Sequence, residues 1–572
     1  MKKTILLLSA ILAVTSTFAQ LQLQHEWSFG LANETHQEAY SLNFDKAGNV
    51  YIAGYTAGTT LDCDPGSDIV NIINPTDGYI GLISKYDADG NFIRSYNLSG
   101  PGSSEIFSFV IDDAYNIIVA GDYSGDFDID QGPDTVILAD EGFNGIFISK
   151  FDSAGNYIFS HHLKGSGYSD SDRSLAIDNE NNIYWLGTYL ETVDLDPGDD
   201  SVLISSNYGG SFIVKYDPNG EYLFHTNHDY SGSYVRQAIT LDIDGNIYQV
   251  GSYTSTVDFD PGPEVTLMEC SGYEEPYLAK YNPAGELVFV RSLRCNDIGS
   301  AEALAIDPEG NIIFGGYFSG NIDLDASSEN VYYSTPIDIS HIYVVKYSPD
   351  GQYIDGFTLG GIDYSIVRSI AIDQEGRIIV TGNYSSSMDF DLGPNTFLLP
   401  FFGIIDAYLA VYDNDFNFID ALGLSGSQVE YAHSVGVDEY GAIYFSGFYS
   451  STTDCDPGPA DALLEPQGSW DIFLTKYRLD SIMTVATNDL MEDSPIHISP
   501  NPAINYLNFT NTEQEAIQAI SIMDMSGRVL KNFQGLNHAD FQLDMSGMVS
   551  GFYVLEIAVG QKRYIERIVK ID

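Results

Sequence analysis

The stretch Leu241-Asp242-Ile243-Asp244-Gly245-Asn246-Ile247-Tyr248 combines the end of one strand, a tight turn and the start of another strand. Its first aspartate recurs along the 572-residue chain, and a glycine follows each copy nine residues later. The aspartates are Asp45, Asp112, Asp178, Asp242, Asp307, Asp373 and Asp438. The glycines are Gly54, Gly121, Gly187, Gly251, Gly316, Gly382 and Gly447. Both series have intervals of 67, 66, 64, 65, 66 and 65 residues, which predicts a repeat architecture made of short strands.

The fourth repeat shows the predicted unit most clearly. Strand-like segments at 237–242 and 246–253 flank the first turn, and segments at 277–281 and 286–293 flank the turn Asn282-Pro283-Ala284-Gly285. Four antiparallel strands per repeat are typical of a propeller blade. A β-helix would need shorter rungs, and an array of sandwich modules would need more strands per repeat.

The two ends of the array predict a closed ring. The seventh repeat stops at Lys476-Tyr477-Arg478-Leu479 without a fourth strand, whereas a matching strand, His25-Glu26-Trp27-Ser28-Phe29-Gly30, precedes the first repeat. Donating this strand to the last blade would remove two exposed sheet edges. We therefore expect an all-β fold with a seven-bladed β-propeller of four-stranded blades over residues 20–480, its last blade closed by the N-terminal strand.

The N-terminus has the features of a signal peptide over residues 1–19. Lys2 and Lys3 precede an apolar run at 5–14, and Thr17-Phe18-Ala19 forms a small-residue cleavage site. The apolar run is too short to serve as a stable membrane anchor, and no other stretch is long enough. We expect an exported mature chain with no transmembrane segment.

Charge excludes one class of partner. The chain has 24 Lys and Arg against 81 Asp and Glu, a net charge of −57, while 44% of its residues are hydrophobic. Nucleic-acid binding needs clustered basic residues, so it is excluded. The acidity favours solubility, with attraction of divalent cations or tolerance of salt as alternatives.

Four cysteines leave the disulfide pairing open. Cys63 and Cys455 share one repeat position, where the other repeats carry Ile129, Leu195, Phe259, Leu324 and Phe390. Such an apolar position suits a buried free thiol. A bridge from Cys63 to Cys455 would need adjacent blades to approach closely. Cys270 with Cys295, both in one repeat, is the better candidate pair in an exported protein.

Each repeat also carries an Asp-x-Asp motif about seven residues after its glycine. In a strand the two carboxylates face the same side, and hard oxygen ligands suit Ca²⁺. The alternative is that they cap the turn that follows. The candidate calcium ligands are Asp62, Asp64, Asp128, Asp130, Asp194, Asp196, Asp258, Asp260, Asp323, Asp325, Asp389, Asp391, Asp454 and Asp456. No cofactor is required by any motif.

A lysine recurs at the end of the third strand. Its positions are Lys85, Lys150, Lys215, Lys280, Lys346 and Lys476, with Val411 as the exception. Strands one and three run in the same direction, so this lysine lies at the same end as the strand-one aspartate. We predict an ion pair between the two, in one blade or between neighbours. A ring of cations for an anionic ligand is the alternative.

The C-terminal residues 498–572, after a polar linker at 481–497, show short alternating strands that predict a small β-sandwich. They resemble the type A C-terminal sorting domain of the type IX secretion system. The matching residues are Pro500, Asn501, Pro502, Gly527, Arg528, the run 545–553 with Gly551 and Tyr553, and Lys570 near the chain end. The resemblance implies recognition by the type IX machinery, passage through the periplasm, and a secreted or outer-membrane surface-attached product.

The repeats resemble bacterial SBBP β-propeller repeats in their Asp-x-x-Gly-Asn-x-Tyr segments, such as 45–51 and 242–248. That resemblance implies a propeller and no particular activity. The sequence has no Gly-x-Ser-x-Gly, His-Glu-x-x-His or phosphate-loop motif. We expect a binding or structural module with an extracellular glycan or protein ligand. The alternative is an extracellular polysaccharide lyase or hydrolase that uses acidic blade-loop residues.

Overall fold

A computed structural model describes most of the chain. The described residues are 19–75, 78–98, 100, 102–130, 132, 134–139, 145–163, 167–168, 174–196, 198, 200–229, 237–327, 330–456, 458, 461–483, 496–499, 503, 505–511, 515–523, 529–548, 551–559 and 562–570. Residues 1–18 of the predicted signal peptide and the motif residues Pro500, Asn501, Pro502, Gly527 and Arg528 lie outside them. Two compact units result: Leu21–Cys455 with Ala462–Asp480, and a second that includes Ser481–Asp572.

All regular structure in the described residues is β-strand. The N-terminal strand is β1 (Ala19–Leu31). The first repeat contains β2 (Gln37–Phe44), β3 (Val50–Thr56), β4 (Thr60–Asp62), β5 (Asn71–Ile73), β6 (Ile80–Tyr86) and β7 (Phe92–Leu98). The second contains β8 (Ser103–Ile111), β9 (Ile117–Ser124), β10 (Phe127–Asp128), β11 (Ile137–Leu138), β12 (Gly145–Phe151) and β13 (Tyr157–Leu163). The third contains β14 (Gly167–Tyr168), β15 (Leu175–Ile177), β16 (Ile183–Asp194), β17 (Leu203–Tyr216) and β18 (Tyr222–Asp229).

The later repeats follow the same order. The fourth contains β19 (Ala238–Leu241), β20 (Ile247–Tyr253), β21 (Val257–Asp258), β22 (Leu267–Met268), β23 (Glu275–Tyr281) and β24 (Leu287–Ser292). The fifth contains β25 (Gly299–Ile306), β26 (Ile312–Phe318), β27 (Asn321–Asp323), β28 (Tyr332–Ser334), β29 (His341–Tyr347) and β30 (Tyr353–Leu359). The sixth contains β31 (Ser365–Ile372), β32 (Ile378–Tyr384), β33 (Met388–Asp389), β34 (Leu398–Leu399), β35 (Asp406–Tyr412) and β36 (Phe418–Leu424). The seventh contains β37 (Glu430–Val437), β38 (Ala442–Tyr449), β39 (Thr453–Asp454), β40 (Leu463–Leu464) and β41 (Asp471–Met483).

Each repeat forms one antiparallel sheet in which the long strands pair in chain order. The orders are β2-β3-β6-β7, β8-β9-β12-β13, β15-β16-β17-β18 with β14 also on β16, β19-β20-β23-β24, β25-β26-β29-β30 and β31-β32-β35-β36. The short strands between the second and third long strands form separate two-stranded hairpins, except in the third repeat, where they continue β16 and β17. Many four-stranded antiparallel sheets without a described helix are consistent with a propeller.

The last sheet takes its outer strand from the other end of the chain, as the sequence predicts. Its order is β37-β38-β41-β1. Glu26 on β1 pairs with Lys476 at 2.9 Å and with Arg478 at 2.7 Å. The Trp27 indole N–H donates to the Ala88 carbonyl of the first repeat at 3.1 Å. The N-terminal strand therefore covers an edge of β41 that would otherwise be exposed.

The recurring glycines are required by close backbone approach. A Cβ on Gly54 would lie 1.8 Å from the Glu38 carbonyl oxygen, where strand β2 bulges between Ala39 and Ser41. Four more of the marker glycines would place a Cβ 1.9 Å from the equivalent carbonyl: Gly121, Gly316, Gly382 and Gly447. The turn after β2 needs a left-handed residue, supplied by Gly48 with φ 76°.

The first strands of all the repeats surround a common centre. A cavity of about 310 Å³ is lined by residues from each of them: Ser41, Ser108, Leu175, Ile239, Leu304, Ile370 and Ser434. Strand β2 packs against β8 on one side and against β37 of the last repeat on the other. The array therefore returns to its own beginning.

The C-terminal unit contains two further sheets. Its strands are β42 (Ile496–Ser499), β43 (Tyr506–Asn511), β44 (Ile517–Met523), β45 (Val529–His538), β46 (Asp540–Asp544), β47 (Gly551–Val559) and β48 (Lys562–Lys570). They pair in the orders β42-β43-β46 and β45-β44-β47-β48. Leu507 and Leu543 of the first sheet share one buried cluster with Ile520 and Ile557 of the second.

Candidate functional site

The repeated aspartate motif builds a turn rather than an open site. The Asp45 carboxylate accepts hydrogen bonds from the backbone N–H groups of Ala47 and Asn49 and from the Asn49 side chain. The Tyr51 hydroxyl donates to it at 3.1 Å, and Lys85 pairs with it at 2.8 Å. Burial raises the pKa of Asp45, but the bonds from Lys85 and Asn49 outweigh burial and hold that pKa below its ordinary value.

The predicted lysine–aspartate pairs are confirmed in four repeats. They are Lys85–Asp45, Lys150–Asp112, Lys215–Asp178 and Lys346–Asp307, at 2.8 to 3.1 Å. Some of these lysines also donate to a turn carbonyl of the next repeat, as Lys150 does to Pro218 at 2.9 Å. Lys280 likewise reaches Pro349, and Lys476 of the last repeat reaches Ala88 of the first at 2.8 Å. The lysine series thus joins neighbouring sheets.

The sixth repeat replaces the missing lysine by another cation. Val411 stands at the lysine position, and Arg377 donates through Nε to Asp373 at 2.5 Å. Arg377 occupies the position filled by Asn49 in the first repeat and by Asn in the next four. Sequence comparison of the repeats shows both departures, and the structure shows that one compensates the other.

The Asp-x-Asp carboxylates cap the small hairpins. Asp62 accepts through Oδ1 from the N–H groups of Asp64 at 3.1 Å and Val70 at 2.9 Å, and Asp64 accepts from Gly66. The bond across the hairpin recurs in every repeat at 2.8 to 2.9 Å: Asp128 with Val136, Asp194 with Val202, Asp258 with Thr266, Asp323 with Val331, Asp389 with Phe397 and Asp454 with Ala462. The second aspartates Asp130, Asp196, Asp260, Asp325, Asp391 and Asp456 each accept from the residue two positions on.

These contacts match the turn-capping alternative, and each pair lies within its own repeat. Among the described residues, no group of three or more His, Cys, Asp or Glu side chains is arranged to hold a metal ion. Calcium at the Asp-x-Asp pairs stays a prediction. Cys63 and Cys455 are fully buried in their apolar positions, and all four cysteines are free thiols in the structure.

One repeat position carries six different residue types in the seven repeats, and no motif in the sequence pointed to it. It lies five residues before the strand-one aspartate and is filled by Tyr40, Phe107, Arg173, Gln237, Glu302, Arg368 and His433. Arg173 lies outside the described residues. In five repeats the position is the bulged residue of the first strand, between Ala39 and Ser41 in the first repeat. A bulge re-aims its side chain without changing the sheet.

The bulge residues of successive repeats meet one another. Arg368 pairs through Nη1 with Glu302 Oε2 at 2.5 Å and donates through Nη2 to the Tyr431 hydroxyl. The Tyr40 ring lies 5.2 Å from Phe107 and 5.0 Å from His433, measured between ring centroids. Five repeats therefore place five different side chains around one centre.

A second divergent position contributes two residues to the same region. It lies six residues before the recurrent lysine position, and its residues are Tyr79, Asn144, Gly209, Glu274, Ser340, Ile405 and Trp470, of which Asn144 lies outside the described residues. A cavity of about 550 Å³ is lined by both kinds of position: Gln237, Glu302 and Arg368 from the first, and Glu274 and Ser340 from the second. Asp297, Asp338 and Asp363 also line this cavity, which we call the central cleft.

The central cleft is acidic, with one arginine held inside it. Burial raises the pKa of Glu274, the Ser252 hydroxyl that donates to it opposes the shift, and the negative charge of Glu302 adds to it. Carboxylates, an amide and hydroxyls around one arginine suit a polar ligand that both donates and accepts hydrogen bonds. The sequence signal for these cleft residues is variation at a fixed position of an otherwise regular repeat. A search for recurring motifs does not detect such variation.

The comparison with protein families identifies the export route. Residues 497–571 match the secretion system C-terminal sorting domain. That domain marks proteins secreted by the type IX system, so the chain is a type IX-sorted extracellular or surface-attached protein. Of the sorting residues predicted from the sequence, Gly551, Tyr553 and Lys570 lie on the paired strands β47 and β48. No helix among the described residues is long and apolar enough to cross a membrane.

Two curated proteins are similar to part of this chain. An uncharacterized WD repeat-containing protein of Acanthamoeba polyphaga mimivirus is 26% identical over 441 residues, which cover 63% of this chain and 32% of the relative. The regulatory protein FlaEY of Caulobacter vibrioides is 25% identical over 185 residues, which cover 32% of this chain and 18% of the relative. The chain thus spans a third or less of the relatives it matches.

Solved structures with similar chain courses come from Bacteroides. A DUF4221 family member from Bacteroides vulgatus has a TM-score of 0.33 at 12% identity, covering 81% of this chain and all but 1% of its own. The extracellular domain of a hybrid two-component system protein from Bacteroides thetaiotaomicron has a TM-score of 0.15 at 11% identity, with 94% and 97% coverage. Both TM-scores lie below 0.5, so neither structure defines the fold of this chain.

Proposed function

We propose that this chain is an exported β-propeller with seven blades that binds one extracellular ligand at its centre. Residues 1–19 would be a signal peptide, 20–480 the propeller, 481–497 a linker, and 498–572 a small β-sandwich that serves as the type IX address. The sheet orders, the cavity lined by the first strands, and the Lys476–Ala88 bond from last to first repeat support the ring. The motif residues of 45–51 support repeats of SBBP type.

One observation carries the binding role. The positions that recur in every repeat make turns, ion pairs and close backbone contacts, whereas residues of the two divergent positions from the fourth, fifth and sixth repeats line the central cleft: Gln237, Glu302, Arg368, Glu274 and Ser340. A purely structural ring has no reason to vary so widely at the same two positions. Different side chains around one cleft present a single asymmetric surface, which suits a ligand bound in one orientation.

The binding role is tested with variants of the cleft. The double variant Arg368→Met/Glu302→Gln removes the buried charges together, so neither partner is left unpaired. Binding to arrays of glycans and of secreted proteins is compared for wild type, this variant and Asp389→Asn, which alters a hairpin cap outside the described cavities. Loss of a ligand in the cleft variant alone supports the proposal. Equal binding by all three contradicts it.

A second candidate function is an extracellular lyase or hydrolase acting on polysaccharide. Several carboxyl groups, among them Glu274 and Glu302, line one cleft, and burial raises the pKa of Glu274, the direction that a general acid requires. Glu274→Gln would then abolish release of reducing or unsaturated ends while binding persists. Unchanged substrate after prolonged incubation with wild type would exclude this candidate.

Export and calcium have separate tests. Truncation of residues 498–572 should leave the propeller in the periplasm, detected by cell fractionation, whereas wild type reaches the surface or medium.

For calcium at the Asp-x-Asp pairs, the thermal midpoint should rise with added Ca²⁺ and fall again with chelator. A midpoint that Ca²⁺ and chelator leave unchanged would contradict the calcium prediction.

A further inference from the structure

The second divergent position carries an aromatic residue in the first and the last repeats, which are neighbours in the proposed ring. Trp470 of the last repeat and Tyr79 of the first occupy it, and His36 lies between their rings. The His36 centroid is 5.8 Å from Trp470 and 5.5 Å from Tyr79, in edge-on geometry with both. Trp470 is 39% exposed and Tyr79 is 36% exposed. We call these three side chains the aromatic row.

Neighbouring aromatic rings and backbone hydrogen bonds fix the position of the aromatic row. The Trp470 ring lies 5.0 Å from Phe448, which stacks on Tyr431 at 5.3 Å. Tyr79 packs on Tyr55 at 4.8 Å, and the Tyr55 hydroxyl donates to buried Glu38 at 3.0 Å. Backbone bonds fix the two chain segments, with Gln37 N–H donating to the Trp470 carbonyl at 2.8 Å. Side chains preorganised in this way bind without an added ordering cost.

A large polar cavity adjoins the aromatic row. It has a volume of about 1060 Å³ and is lined by His36 and Tyr79 together with amide and hydroxyl residues such as Asn71, Gln467 and Ser469. Its only acidic lining residues are Glu34 and Asp62, and no lysine or arginine lines it among the described residues. Partly exposed aromatic rings beside amides and hydroxyls complement a ligand with apolar C–H groups and many hydroxyl groups.

We propose that the aromatic row is a subsite for a neutral glycan, which packs sugar rings on Trp470 and Tyr79 and sends hydroxyl groups into the adjoining cavity. This inference goes beyond the proposed function, because the cavity beside the aromatic row shares no described lining residue with the central cleft. A neutral glycan is favoured over an anionic one because the chain carries a net charge of −57 and no lysine or arginine is found among the described lining residues. A protein ligand would instead require a larger apolar contact surface than the rings of Trp470, His36 and Tyr79 provide.

Affinity electrophoresis of the mature full-length protein tests this subsite. Native gels contain β-glucan, xylan or galactomannan as neutral probes, and alginate or polygalacturonate as anionic probes. We expect at least one neutral probe to retard wild type. Trp470→Ala and Tyr79→Ala should each raise the dissociation constant about tenfold or more, as buried aromatic contacts do in other interfaces. Trp470→Phe keeps an aromatic face and should restore most of the binding.

Tyr440→Ala is the matched control, since Tyr440 is 72% exposed on the turn after β37 and lies outside the aromatic row. Thermal midpoints of all variants are compared, and Trp470→Phe covers the case in which Trp470→Ala does not fold. Retardation lost in the row variants and kept in Tyr440→Ala supports the inference. Preference for anionic probes, or no retardation by any probe, overturns it. A ligand lost with Arg368→Met/Glu302→Gln but kept with Trp470→Ala also overturns it and leaves the proposed binding function standing.

Discussion

At the residue scale, the Lys85–Asp45 ion pair is much more buried than the nearby Lys46–Asp113 ion pair, and we expect it to contribute more to stability. The side chains of Lys85 and Asp45 are 19% and 1% exposed, whereas those of Lys46 and Asp113, which pair at 2.6 Å, are 69% and 58% exposed. A buried carboxylate that loses its cation keeps the cost of desolvation, while an exposed pair is screened by water and salt.

We therefore expect Lys85→Met to lower the free energy of unfolding by about 1–3 kcal/mol, the cost of leaving a buried acceptor partly unsatisfied. Lys46→Met is the control and should leave the unfolding midpoint unchanged. Urea denaturation of the propeller region followed by tryptophan fluorescence measures both. Equal effects of the two substitutions would show that the buried pair contributes no more than the exposed one.

Asp406 makes the free energy of unfolding depend on pH with the opposite sign to the dependence that Asp45 contributes. Asp406 is fully buried and accepts a hydrogen bond from the Phe402 N–H at 2.8 Å. Burial raises its pKa to about 7, and the nearby Glu430 carboxyl adds to the rise. Between the ordinary Asp pKa near 3.8 and about 7, the folded state holds a proton that the unfolded state releases.

Stability from Asp406 should therefore fall as pH rises through that window. We expect the thermal midpoint of Asp406→Asn to exceed that of wild type at pH 8 and to vary less between pH 5 and pH 8, because the amide stays neutral. Asp415→Asn, at an exposed carboxylate, is the control. Parallel midpoint–pH curves for wild type and Asp406→Asn would contradict this assignment.

At the element scale, the N-terminal strand is the part that completes the last sheet. Strand β1 pairs with β41, and its Glu26 binds two cations on that strand. Without β1, the long edge of β41 would present unpaired backbone groups to other molecules.

Deletion of residues 20–31 should lower the thermal midpoint and convert monomer into aggregate, as measured by light scattering after size-exclusion chromatography. A synthetic peptide of residues 20–31 added in trans should restore the monomer, since strand pairing needs no covalent link. Truncation of residues 498–572 is the control for loss of a terminal segment. A deletion variant that stays monomeric with an unchanged midpoint would show that β1 contributes nothing to the last sheet.

At the scale of the whole molecule, the net charge of −57 opposes compaction. Raising the ionic strength from about 0.01 M to about 0.15 M shortens the Debye length from about 30 Å to about 8 Å and screens this repulsion. In chelated buffer, we expect the thermal midpoint to rise over that range of NaCl. A midpoint that falls would mean that exposed ion pairs such as Lys46–Asp113 outweigh the self-repulsion.

The repeats also show which features can be predicted from the chain alone. The 64- to 67-residue spacing, the missing fourth strand after Arg478, and the spare strand at 25–30 predicted the sheet order and the pairing of β1 with β41. The Lys–Asp pairs were predicted because strand direction places both residues at one end of a sheet. These are local or periodic features, and local propensity and strand direction determine them.

Other features needed the tertiary structure. The chain determined the repeat, the turn chemistry and the type IX address. Only the structure showed which divergent residues are in contact. Arg368 of the sixth repeat pairs with Glu302 of the fifth. Trp470 contacts His36 although 434 positions separate them in the sequence. A sequence records which residues occupy a repeat position, but a bulge decides where each side chain points, and ring closure decides which repeats are neighbours. The candidate site depends on both, and for that reason it emerged only from the folded chain.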